Sequence, residues 1–368
     1  MNTNPRFIIS GGGTGGHIFP ALAIADALKA RHPQASILFV GALGRMEMQR
    51  VPDAGYPIVG LPIKGFDRSH LLNNFHVLFL LARSLYGAWK TIRRFRPHAV
   101  IGVGGYASGP TLFIASLAGV PTLIQEQNSY AGVTNKLLAR RAHAICVAYH
   151  GMKRFFPPQK IILTGNPVRN ALLQPQQRTH AADFFGLDPQ KKTLLVIGGS
   201  LGARTINLAL QAGLPALEQA GIQLIWQTGK YYTPPTPHTP AQGRWIAPFI
   251  DRMDFAYAAA DLVISRAGAG TISELCLLAK PAILVPSPNV AEDHQTKNAR
   301  ALVDKEAALL VSDKQAPQDL IPSVLALIRD ENRLARLASH IAPLGAQHSA
   351  QRIADAVDRI AHCQMRYP

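Results

Sequence analysis

Residues 7–28 read FIISGGGTGGHIFPALAIADAL. A short apolar run is followed by five glycines in six positions, Gly11 to Gly16, and then by His17 and an apolar stretch of helix length. Glycine lets the backbone bend sharply and approach a ligand closely, and a helix N-terminus presents N–H groups and a partial positive charge. The order predicts a strand, a glycine-rich turn that meets an anionic ligand, and a helix, with His17 at the mouth of the binding cleft.

A second stretch of the same design, LLVIGGSLGARTINLALQAGL, lies at residues 194–214. Throughout the chain, short β-branched runs alternate with helix-length amphipathic stretches, a pattern typical of parallel, doubly wound sheets. A length of 368 residues also exceeds what one core usually serves. We therefore predict an α/β protein of two Rossmann-like domains with a cleft between them, residues 1–167 and 168–345. The last helix, within 346–368, is expected to pack back on the first domain.

The charge of the chain is strongly basic and lies mostly in the first half. The formal net charge is +16, and residues 1–168 hold 18 Lys and Arg against only 5 Asp and Glu. Such a one-sided positive field indicates an anionic partner, which includes nucleic acid, phospholipid headgroups and polyphosphates. The composition, 48% apolar and 16% charged, excludes disordered and fibrous classes. Three scattered cysteines, and an N-terminus unlike a signal peptide, favour the cytoplasm.

The first glycine turn also satisfies the dinucleotide pattern GxGxxG through Gly11, Gly13 and Gly16. The second strand, however, runs out near Leu43 without the acid that holds a ribose, which argues against NAD or FAD. Three more turns of the same kind follow apolar strands, GVGGYASGP (102–110), IGGSLGA (197–203) and SRAGAGTISE (265–274). The glycines of any one turn are explained by the need for a sharp bend between strand and helix. Four such turns together predict a phosphate-bearing ligand that is bound from both domains.

These motifs together resemble the MurG family, bacterial transferases that make lipid II in peptidoglycan synthesis. The matching segments run in order from about residue 7 to 300, and they are GGGTGGHIFPALAIA, GGYASGP, QEQNSYAGVTNKLLA, TGNPVR, GGSLGA, FIDRM, SRAGAGTISEL and DHQTKNA. The resemblance implies a glycosyltransferase B-type fold. It also implies inverting transfer of N-acetylglucosamine from UDP-GlcNAc to the 4-hydroxyl of the muramyl sugar of lipid I, by an enzyme bound peripherally to the cytoplasmic face of the cell membrane.

Other kinds of function stay open. The same fold serves other enzymes that use a UDP-sugar, such as glycolipid transferases with a different acceptor and epimerases, and these would share the donor turns. A nucleic-acid-binding protein fits the charge, but the basic residues form no recognisable nucleic-acid module and the glycines cluster at strand ends. We expect UDP-GlcNAc, lipid I and an anionic inner-membrane surface as partners, without nucleic acid and without a cofactor.

The resemblance places donor contacts in both domains. They are Thr14, Gly15, Gly16, Asn128, Arg169, Ser200, Ile250, Ala269, Gly270, Thr271, Glu274 and Gln295. Ser200 and the amides of its turn open a helix and can take a phosphate, and Arg169 would meet the nucleotide. Glu274 would accept hydrogen bonds from the ribose hydroxyls, although Thr271-x-x-Glu274 is equally a capping box that closes its own helix.

Three further donor residues have roles that only the resemblance gives. Ile250 matches a position whose backbone reads the uracil edge, Gln295 a glutamine that holds sugar hydroxyls, and Asn128 an asparagine that meets the donor sugar. His294 stands where some relatives carry a second glutamine. Taken as bare residues, the isoleucine is equally a core residue and the polar ones are turn or helix-start residues.

The acceptor and the catalytic base are expected in the first domain. Its loops should cradle the acceptor diphosphate, through the first glycine turn and through Tyr106, Ala107 and Ser108. Inverting transfer needs a base for the 4-hydroxyl proton, and a histidine near a helix N-terminus is pushed toward its neutral, proton-accepting form. His17 is the candidate base and Glu126 the reserve, although His17 also suits a structural bond and Glu126 a tie between loops. The chain has no DxD pair, so we expect no essential metal ion.

Residues 71–96 read LLNNFHVLFLLARSLYGAWKTIRRFR. One helical seam is predicted to pack on the domain, and it consists of Leu71, Phe75, Leu78, Ala82, Leu85, Trp89 and Ile92. A second apolar row, Leu72, Phe79 and Tyr86, borders the cations Arg83, Lys90 and Arg94. Polar residues interrupt the stretch, which falls short of a bilayer span. The pattern favours a helix on an anionic membrane surface, with a fully buried core helix as the alternative.

Overall fold

The computed structural model describes residues 4–65, 74–199, 201–234, 243–290 and 293–365. The chain divides into two compact units. Unit 1 comprises Met1–Arg169 and His348–Pro368, and unit 2 comprises Asn170–Gln347. Each unit is a parallel sheet with helices on both faces, so the prediction of two Rossmann-like α/β domains is confirmed.

Unit 1 contains a seven-stranded parallel sheet in the order β3-β2-β1-β4-β5-β6-β7. Its strands are β1 (Arg6–Ser10), β2 (Ser36–Ala42), β3 (Ile58–Leu61), β4 (Ala99–Gly102), β5 (Thr122–Glu126), β6 (Ala144–Val147) and β7 (Ile161–Leu163). Its helices are α1 (Gly15–Arg31), α2 (Glu47–Asp53), α3 (Asn74–Phe95), α4 (Ser108–Leu117), α5 (Val133–Leu138) and α13 (Ser349–Met365). Near-continuous apolar strands are what a sheet covered on both faces requires.

Unit 2 contains a six-stranded parallel sheet in the order β10-β9-β8-β11-β12-β13. Its strands are β8 (Thr193–Ile197), β9 (Gln223–Gln227), β10 (Arg244–Ala247), β11 (Leu262–Ser265), β12 (Ala282–Leu284) and β13 (Leu309–Leu310). Its helices are α6 (Arg178–Phe185), α7 (Arg204–Gln219), α8 (Met253–Ala259), α9 (Ala269–Leu277), α10 (His294–Val303), α11 (Ala316–Ile328) and α12 (Glu331–Ile341).

Unit 1 changes its winding direction between β1 and β4, which are neighbours in the sheet. Side chains of β1 alternate between the two faces, since Phe7 and Ile9 pack in the cluster that contains α1, whereas Ile8 packs in the cluster that contains α4. The chain therefore leaves β1 for one face of the sheet and β4 for the other. Such a topological switch point is where open α/β sheets bind ligands, at the carboxyl ends of the strands.

Unit 2 repeats this arrangement with β8 and β11. Leu194 and Val196 pack in the cluster that contains α7, whereas Leu195 and Ile197 pack in the cluster that contains α9. The four glycine-rich turns recognised in the sequence follow β1, β4, β8 and β11. Each unit thus has a pair of these turns at its own switch point.

The last described helix, α13, belongs to unit 1 and packs against α1. Its apolar face, which includes Ile353 and Val357, is buried in the same core as Phe7. At the end of α1, the Nε2 atom of His32 lies 2.9 Å from Asp358 Oδ1. Helix α13 therefore completes the core of a unit whose other elements lie far earlier in the chain.

Candidate functional site

The two glycine turns of unit 1 are packed backbone to backbone. The amide of Gly12 donates to the carbonyl oxygen of Gly104 over 3.2 Å. A Cβ added to Gly105 would lie 2.3 Å from the carbonyl oxygen of Gly12, a distance that no side chain tolerates. Gly12 and Gly105 also have φ angles of 144° and 87°, which favour glycine. Glycine is thus needed here first for loop-to-loop packing, which fixes the geometry of the switch point.

His17 lies at the junction of these two turns. Its Nδ1 atom is 3.1 Å from the carbonyl oxygen of Gly12 and 3.2 Å from Thr14 Oγ1. A carbonyl oxygen only accepts hydrogen bonds, so Nδ1 carries the hydrogen in the neutral ring. The lone pair then belongs to Nε2, on the side of the ring that faces Gly104. The structure therefore gives His17 both a bond to a neighbouring loop and the tautomer that a general base needs.

The start of α1 is shaped to receive an anion. Thr14 is the N-cap residue with extended backbone, and Gly15 and Gly16 begin the helix. The first turn contains no acidic residue, whereas the last turn contains Lys29 and Arg31. The His17 amide donates to the carbonyl oxygen of Thr14 over 3.1 Å. The other amides of a first helical turn have no partner within the helix, so this end offers donors and positive potential to a phosphate or a sugar hydroxyl.

Glu47 is a site residue that the sequence reasoning missed. Its carboxylate is 1% exposed and accepts the Gly13 amide over 2.8 Å and the Ala42 amide over 3.0 Å. One amide of the glycine turn is therefore occupied by the protein's own carboxylate. The signal was available in principle, because Glu47 is one of only 5 acids in the basic first half and follows β2 by five residues.

Glu126, the reserve candidate for the base, is buried beneath the loop that follows β5. Its Oε1 accepts the backbone amide of Asn128 over 3.0 Å, and its Oε2 accepts the Gly132 amide over 3.0 Å and Asn135 Nδ2 over 2.8 Å. Both oxygens are thus engaged in holding the loop and the start of α5. The geometry is that of a tie between loop segments, and Asn128 is held by the same carboxylate.

The second turn of unit 1 presents one of its three predicted acceptor residues to solvent. Tyr106 is 51% exposed, and its ring covers the backbone at Gly65, where an added Cβ would lie 2.5 Å away. Ala107 and Ser108 are buried, and the Ser108 hydroxyl donates to the carbonyl oxygen of Gly105 over 2.9 Å. The serine side chain therefore closes its own turn at the beginning of α4.

Arg169 is the last residue of unit 1 before the chain passes to unit 2. Its guanidinium lies 4.5 Å from the centre of the Phe19 ring, on α1. A cation over an aromatic face is held electrostatically, and a guanidinium is the side chain best suited to recognise phosphate. Phe19 also contacts the position of Gly15, so Arg169 lies close to the first turn of α1.

In unit 2, the glycine turn after β8 packs against the end of β9 and the segment that follows it. A Cβ added to Gly202 would lie 2.3 Å from the carbonyl oxygen of Thr228, and Gln227 Nε2 donates to the carbonyl oxygen of Gly199 over 2.8 Å. Ser200 lies outside the described residues. In the turn after β11, no atom of the described residues, apart from the local backbone, lies within 4 Å of a Cβ placed on Gly268 or Gly270, so these residues leave space beside the start of α9.

The capping-box alternative for Glu274 is wrong. Helix α9 begins at Ala269 with Gly268 as its N-cap, so Thr271 lies inside the first turn and caps nothing. Glu274 is buried, and its Oε2 accepts the hydroxyl of Tyr257 over 2.9 Å. The carboxylate is thus oriented from α8, in a separate helix, rather than by the start of its own helix.

The other predicted donor residues differ in burial and in their hydrogen bonds. The side chain of Ile250 is 1% exposed and belongs to the core of unit 2, so only its backbone is left for recognition. Gln295 Oε1 accepts the amide of Ser287 over 2.9 Å, which fixes the glutamine beside the loop after β12. His294 is the first residue of α10, and Ala269 is buried at the first position of α9.

The predicted packing seam of α3 is wrong for Leu78, Ala82 and Trp89, which are exposed, whereas Ile92 is buried as predicted and Leu85 is half-buried. Leu71 and Leu72 lie outside the described residues, as does the side chain of Phe75. The buried face instead consists of Val77, Leu80, Ser84, Ala88 and Ile92. The predicted stripe is displaced by about one residue along the helical wheel from the buried one, because both stripes are largely apolar and periodicity alone does not separate them.

The outer face of α3 is apolar and aromatic with basic neighbours. Its exposed large side chains are Leu78 (51%), Phe79 (60%), Tyr86 (65%) and Trp89 (42%). Arg83 lies over the Phe79 ring at 5.8 Å and Arg93 over the Trp89 ring at 5.2 Å. Arg83, Lys90 and Arg94 are exposed. A fully buried core helix is thereby excluded for α3.

Among the described residues there is neither a membrane-spanning helix nor a cluster of metal-ligating side chains. No helix in that part of the chain is long and apolar enough to cross a membrane. Likewise, no group of three or more His, Cys, Asp or Glu side chains among those residues is placed to hold a metal ion.

Two Rossmann-like units with paired glycine turns at their switch points are the architecture of the glycosyltransferase B-type fold. The chain belongs to glycosyltransferase family 28, whose N-terminal domain matches residues 7–147 and whose C-terminal domain matches residues 193–358. The predicted family resemblance and fold class are confirmed.

Relatives cover nearly the whole chain. A protein of Parabacteroides distasonis is 60% identical over 96% of this chain and 98% of its own length. A protein of Bacteroides fragilis is 60% identical over 97% of this chain and 96% of its own. Both are named UDP-N-acetylglucosamine–N-acetylmuramyl-(pentapeptide) pyrophosphoryl-undecaprenol N-acetylglucosamine transferase.

Solved structures agree in fold. The MurG structure of Acinetobacter baumannii is 28% identical, with a TM-score of 0.74 over 96% of this chain and 99% of that one. A UDP-N-acetylglucosamine 2-epimerase matches with a TM-score of 0.66 over 100% of this chain and 98% of its own, but at 13% identity it shows the fold alone.

Proposed function

We propose that the chain transfers N-acetylglucosamine from UDP-GlcNAc to the 4-hydroxyl of the muramyl sugar of undecaprenyl-diphosphate-linked MurNAc-pentapeptide, with inversion. We infer the two substrates from the names of the relatives that match almost the whole chain. The observation that carries the chemistry is the contact between His17 Nδ1 and the carbonyl oxygen of Gly12 at the switch point of unit 1.

In this reaction, His17 is the general base. Its Nε2 takes the proton of the acceptor 4-hydroxyl as that oxygen attacks the anomeric carbon, the bond from that carbon to the UDP oxygen breaks, and UDP leaves with the electron pair. One displacement of this kind inverts the anomeric configuration. Since Nδ1 stays bonded to the loop, the ring keeps one orientation before and after the proton transfer.

The donor is assigned mainly to unit 2, and a few residues of unit 1 would also contact it. The open start of α9, at Gly268 to Thr271, and the turn containing Ser200 would receive the diphosphate, and Glu274 would accept from the ribose. Helix N-termini and Arg169 would stabilise the charge that develops on UDP, the part that a metal ion plays in other transferases. In unit 1, Asn128 and the start of α1 would meet the donor sugar.

The acceptor lipid is assigned to unit 1 and to a membrane surface. The start of α1, the turn containing Tyr106 and the amides of α4 would hold the acceptor diphosphate. The exposed aromatic face of α3, with its arginines and lysine, would bind the anionic cytoplasmic leaflet and place the enzyme peripherally at the membrane. This arrangement explains why the basic excess lies in the first half of the chain.

A UDP-release assay tests the proposal. With UDP-GlcNAc and a short-chain lipid I analogue, we expect UDP in amounts equal to the disaccharide formed, and no UDP without the analogue. Conversion of UDP-GlcNAc in the absence of any acceptor would point to an epimerase. Release that depends on a different glycolipid, and not on the lipid I analogue, would point to another transferase of this fold.

A further inference from the structure

Glu47 and His17 contact opposite sides of one peptide group, the one that joins Gly12 to Gly13. The amide of that peptide, on Gly13, donates to Glu47 Oε2 over 2.8 Å. Its carbonyl oxygen, on Gly12, lies 3.1 Å from His17 Nδ1. A trans peptide is planar, and its N–H and C=O point in opposite directions, so this single rigid group connects the carboxylate to the imidazole.

Glu47 is buried, hydrogen-bonded and closely packed against the β1 turn. The side chain is 1% exposed, and its second oxygen accepts the Ala42 amide over 3.0 Å. A Cβ added to Gly12 would lie 2.3 Å from the Glu47 carboxyl carbon. A buried carboxylate is costly unless it is hydrogen-bonded, and two backbone donors supply that bonding here. The buried Glu47 carboxylate therefore requires that residue 12 be a glycine.

We propose that Glu47 is a positioning residue for the base His17, an assignment that rests on the proposed function. The carboxylate holds the peptide by its N–H, and the peptide holds the ring by its carbonyl oxygen. Hydrogen bonds in a chain polarise one another, so an anionic acceptor on the N–H makes the carbonyl a stronger acceptor for Nδ1–H. The carboxylate thus strengthens the hydrogen bond by which the Gly12 carbonyl oxygen keeps His17 in the Nδ1–H tautomer, with one peptide group between the carboxylate and the ring.

The variant Glu47→Gln tests this proposal. It keeps the size of the side chain and removes the charge, and its amide accepts well from only one of the two backbone donors. We expect kcat to fall by about tenfold or more, the usual effect of losing a group that orients a site residue, while KM for UDP-GlcNAc is unchanged. In ¹⁵N NMR spectra of histidine-labelled protein, His17 should be the Nδ1–H tautomer in the wild-type chain and a mixture of tautomers in the variant.

The matched control is Asp26→Asn. Asp26 lies on the same helix as His17 and accepts the Tyr56 hydroxyl over 2.8 Å. The control removes a carboxylate from the same helix and leaves the Gly12–Gly13 peptide unchanged, so kcat and the His17 tautomer should stay at wild-type values. A thermal melt of both variants measures any general loss of stability, which would be the sole effect of a merely structural role for Glu47.

Two results would overturn the proposal. One is an Nε2–H tautomer for His17 in the wild-type chain, a measurement that needs no variant to fold. The other is a folded Glu47→Gln protein with wild-type kcat and tautomer. Failure of the base assignment is separate, because it would appear as full turnover by His17→Ala, while the NMR comparison would still decide whether Glu47 sets the tautomer of the ring.

Discussion

Gly105 and Gly12 approach so closely that a Cβ on the first would lie 2.3 Å from the carbonyl oxygen of the second. We therefore expect Gly105→Ala to push the two turns of unit 1 apart and to displace the carbonyl that holds His17. The substitution also meets a φ of 87°, which alone costs about 1–2 kcal/mol. Unfolding curves should show a loss above that range, and turnover should fall by more than the stability change explains.

Gly55→Ala is the matched control for this prediction. Its φ is 83°, but within the described part of the chain no atom beyond its immediate neighbours lies within 4 Å of the added Cβ. It should cost only the backbone strain and leave turnover intact. Equal effects of the two substitutions would show that loop-to-loop packing at the switch point does not matter.

His17→Ala is expected to lower kcat by roughly 10²- to 10⁴-fold with the acceptor saturating, the usual contribution of a general base. The reason is that no other group then takes the 4-hydroxyl proton as the bond forms. Binding of UDP-GlcNAc, measured by calorimetry, should change little. Unchanged turnover would remove His17 from the role and return attention to the buried Glu126.

Tyr257→Phe tests how Glu274 is oriented. The phenol hydroxyl donates to Glu274 Oε2 over 2.9 Å, and a hydrogen bond of this kind contributes about 0.5–1.5 kcal/mol. If Glu274 binds the ribose, its loss should raise KM for UDP-GlcNAc by about 2- to 13-fold and leave kcat nearly unchanged. Tyr56→Phe removes a comparable bond, to Asp26 in unit 1, and should lower stability without changing that KM.

The sequence predicted the parts of the fold that local pattern determines. Apolar runs that end in glycine-rich turns identified β1, β4, β8 and β11, because the turn chemistry and the strand pattern coincide there. Strands β3, β7, β10 and β13 have no glycine-rich turn of this kind to mark them. Each has only two to four residues and lies toward an edge of its sheet, so pairing with a neighbour, rather than local sequence, makes it a strand.

The parts of the site that were missed depend on contacts between distant segments. Glu47 looks like a surface acid at the start of a short helix, and only the folded β1 turn places amides on its carboxylate. For Glu274, the sequence left a ribose ligand and a capping box as alternatives, and it did not reveal the hydrogen bond from Tyr257, in another helix. In both cases the residue type was visible in the sequence and its hydrogen-bond partner was not.

The outer face of α3 should bind anionic vesicles. Phe79→Ser combined with Trp89→Ser removes two exposed aromatic side chains, and we expect partitioning to vesicles containing acidic lipid to fall roughly tenfold or more. Leu208→Ser is the control, since Leu208 is 47% exposed on α7 of unit 2. Sedimentation with neutral and anionic vesicles measures the effect. Equal pelleting with both, or none with either, would contradict membrane binding by this face.

Unit 1 should lose stability in mild acid through two histidines at the amino edge of its sheet. His98 Nδ1 accepts the Arg6 amide over 3.0 Å, and His143 Nδ1 accepts the Thr122 amide over 3.2 Å. Burial and the neighbouring Arg6 lower the pKa of His98, and burial and Lys160 lower the pKa of His143. The unfolded chain then takes up protons near pH 6.5, before the folded one does.

Stability from these bonds is therefore complete above about pH 6.5 and decreases as the pH falls through the lowered folded-state pKa values. Asparagine offers an acceptor oxygen in place of Nδ1 and does not titrate. The double variant His98→Asn, His143→Asn should thus show a smaller fall in melting temperature between neutral and mildly acidic buffer than the wild-type chain. At neutral pH the two proteins should differ by no more than about 1–3 kcal/mol, since each hydrogen bond contributes about 0.5–1.5 kcal/mol. A parallel decline of both proteins with pH would show that other groups determine the acid sensitivity of unit 1.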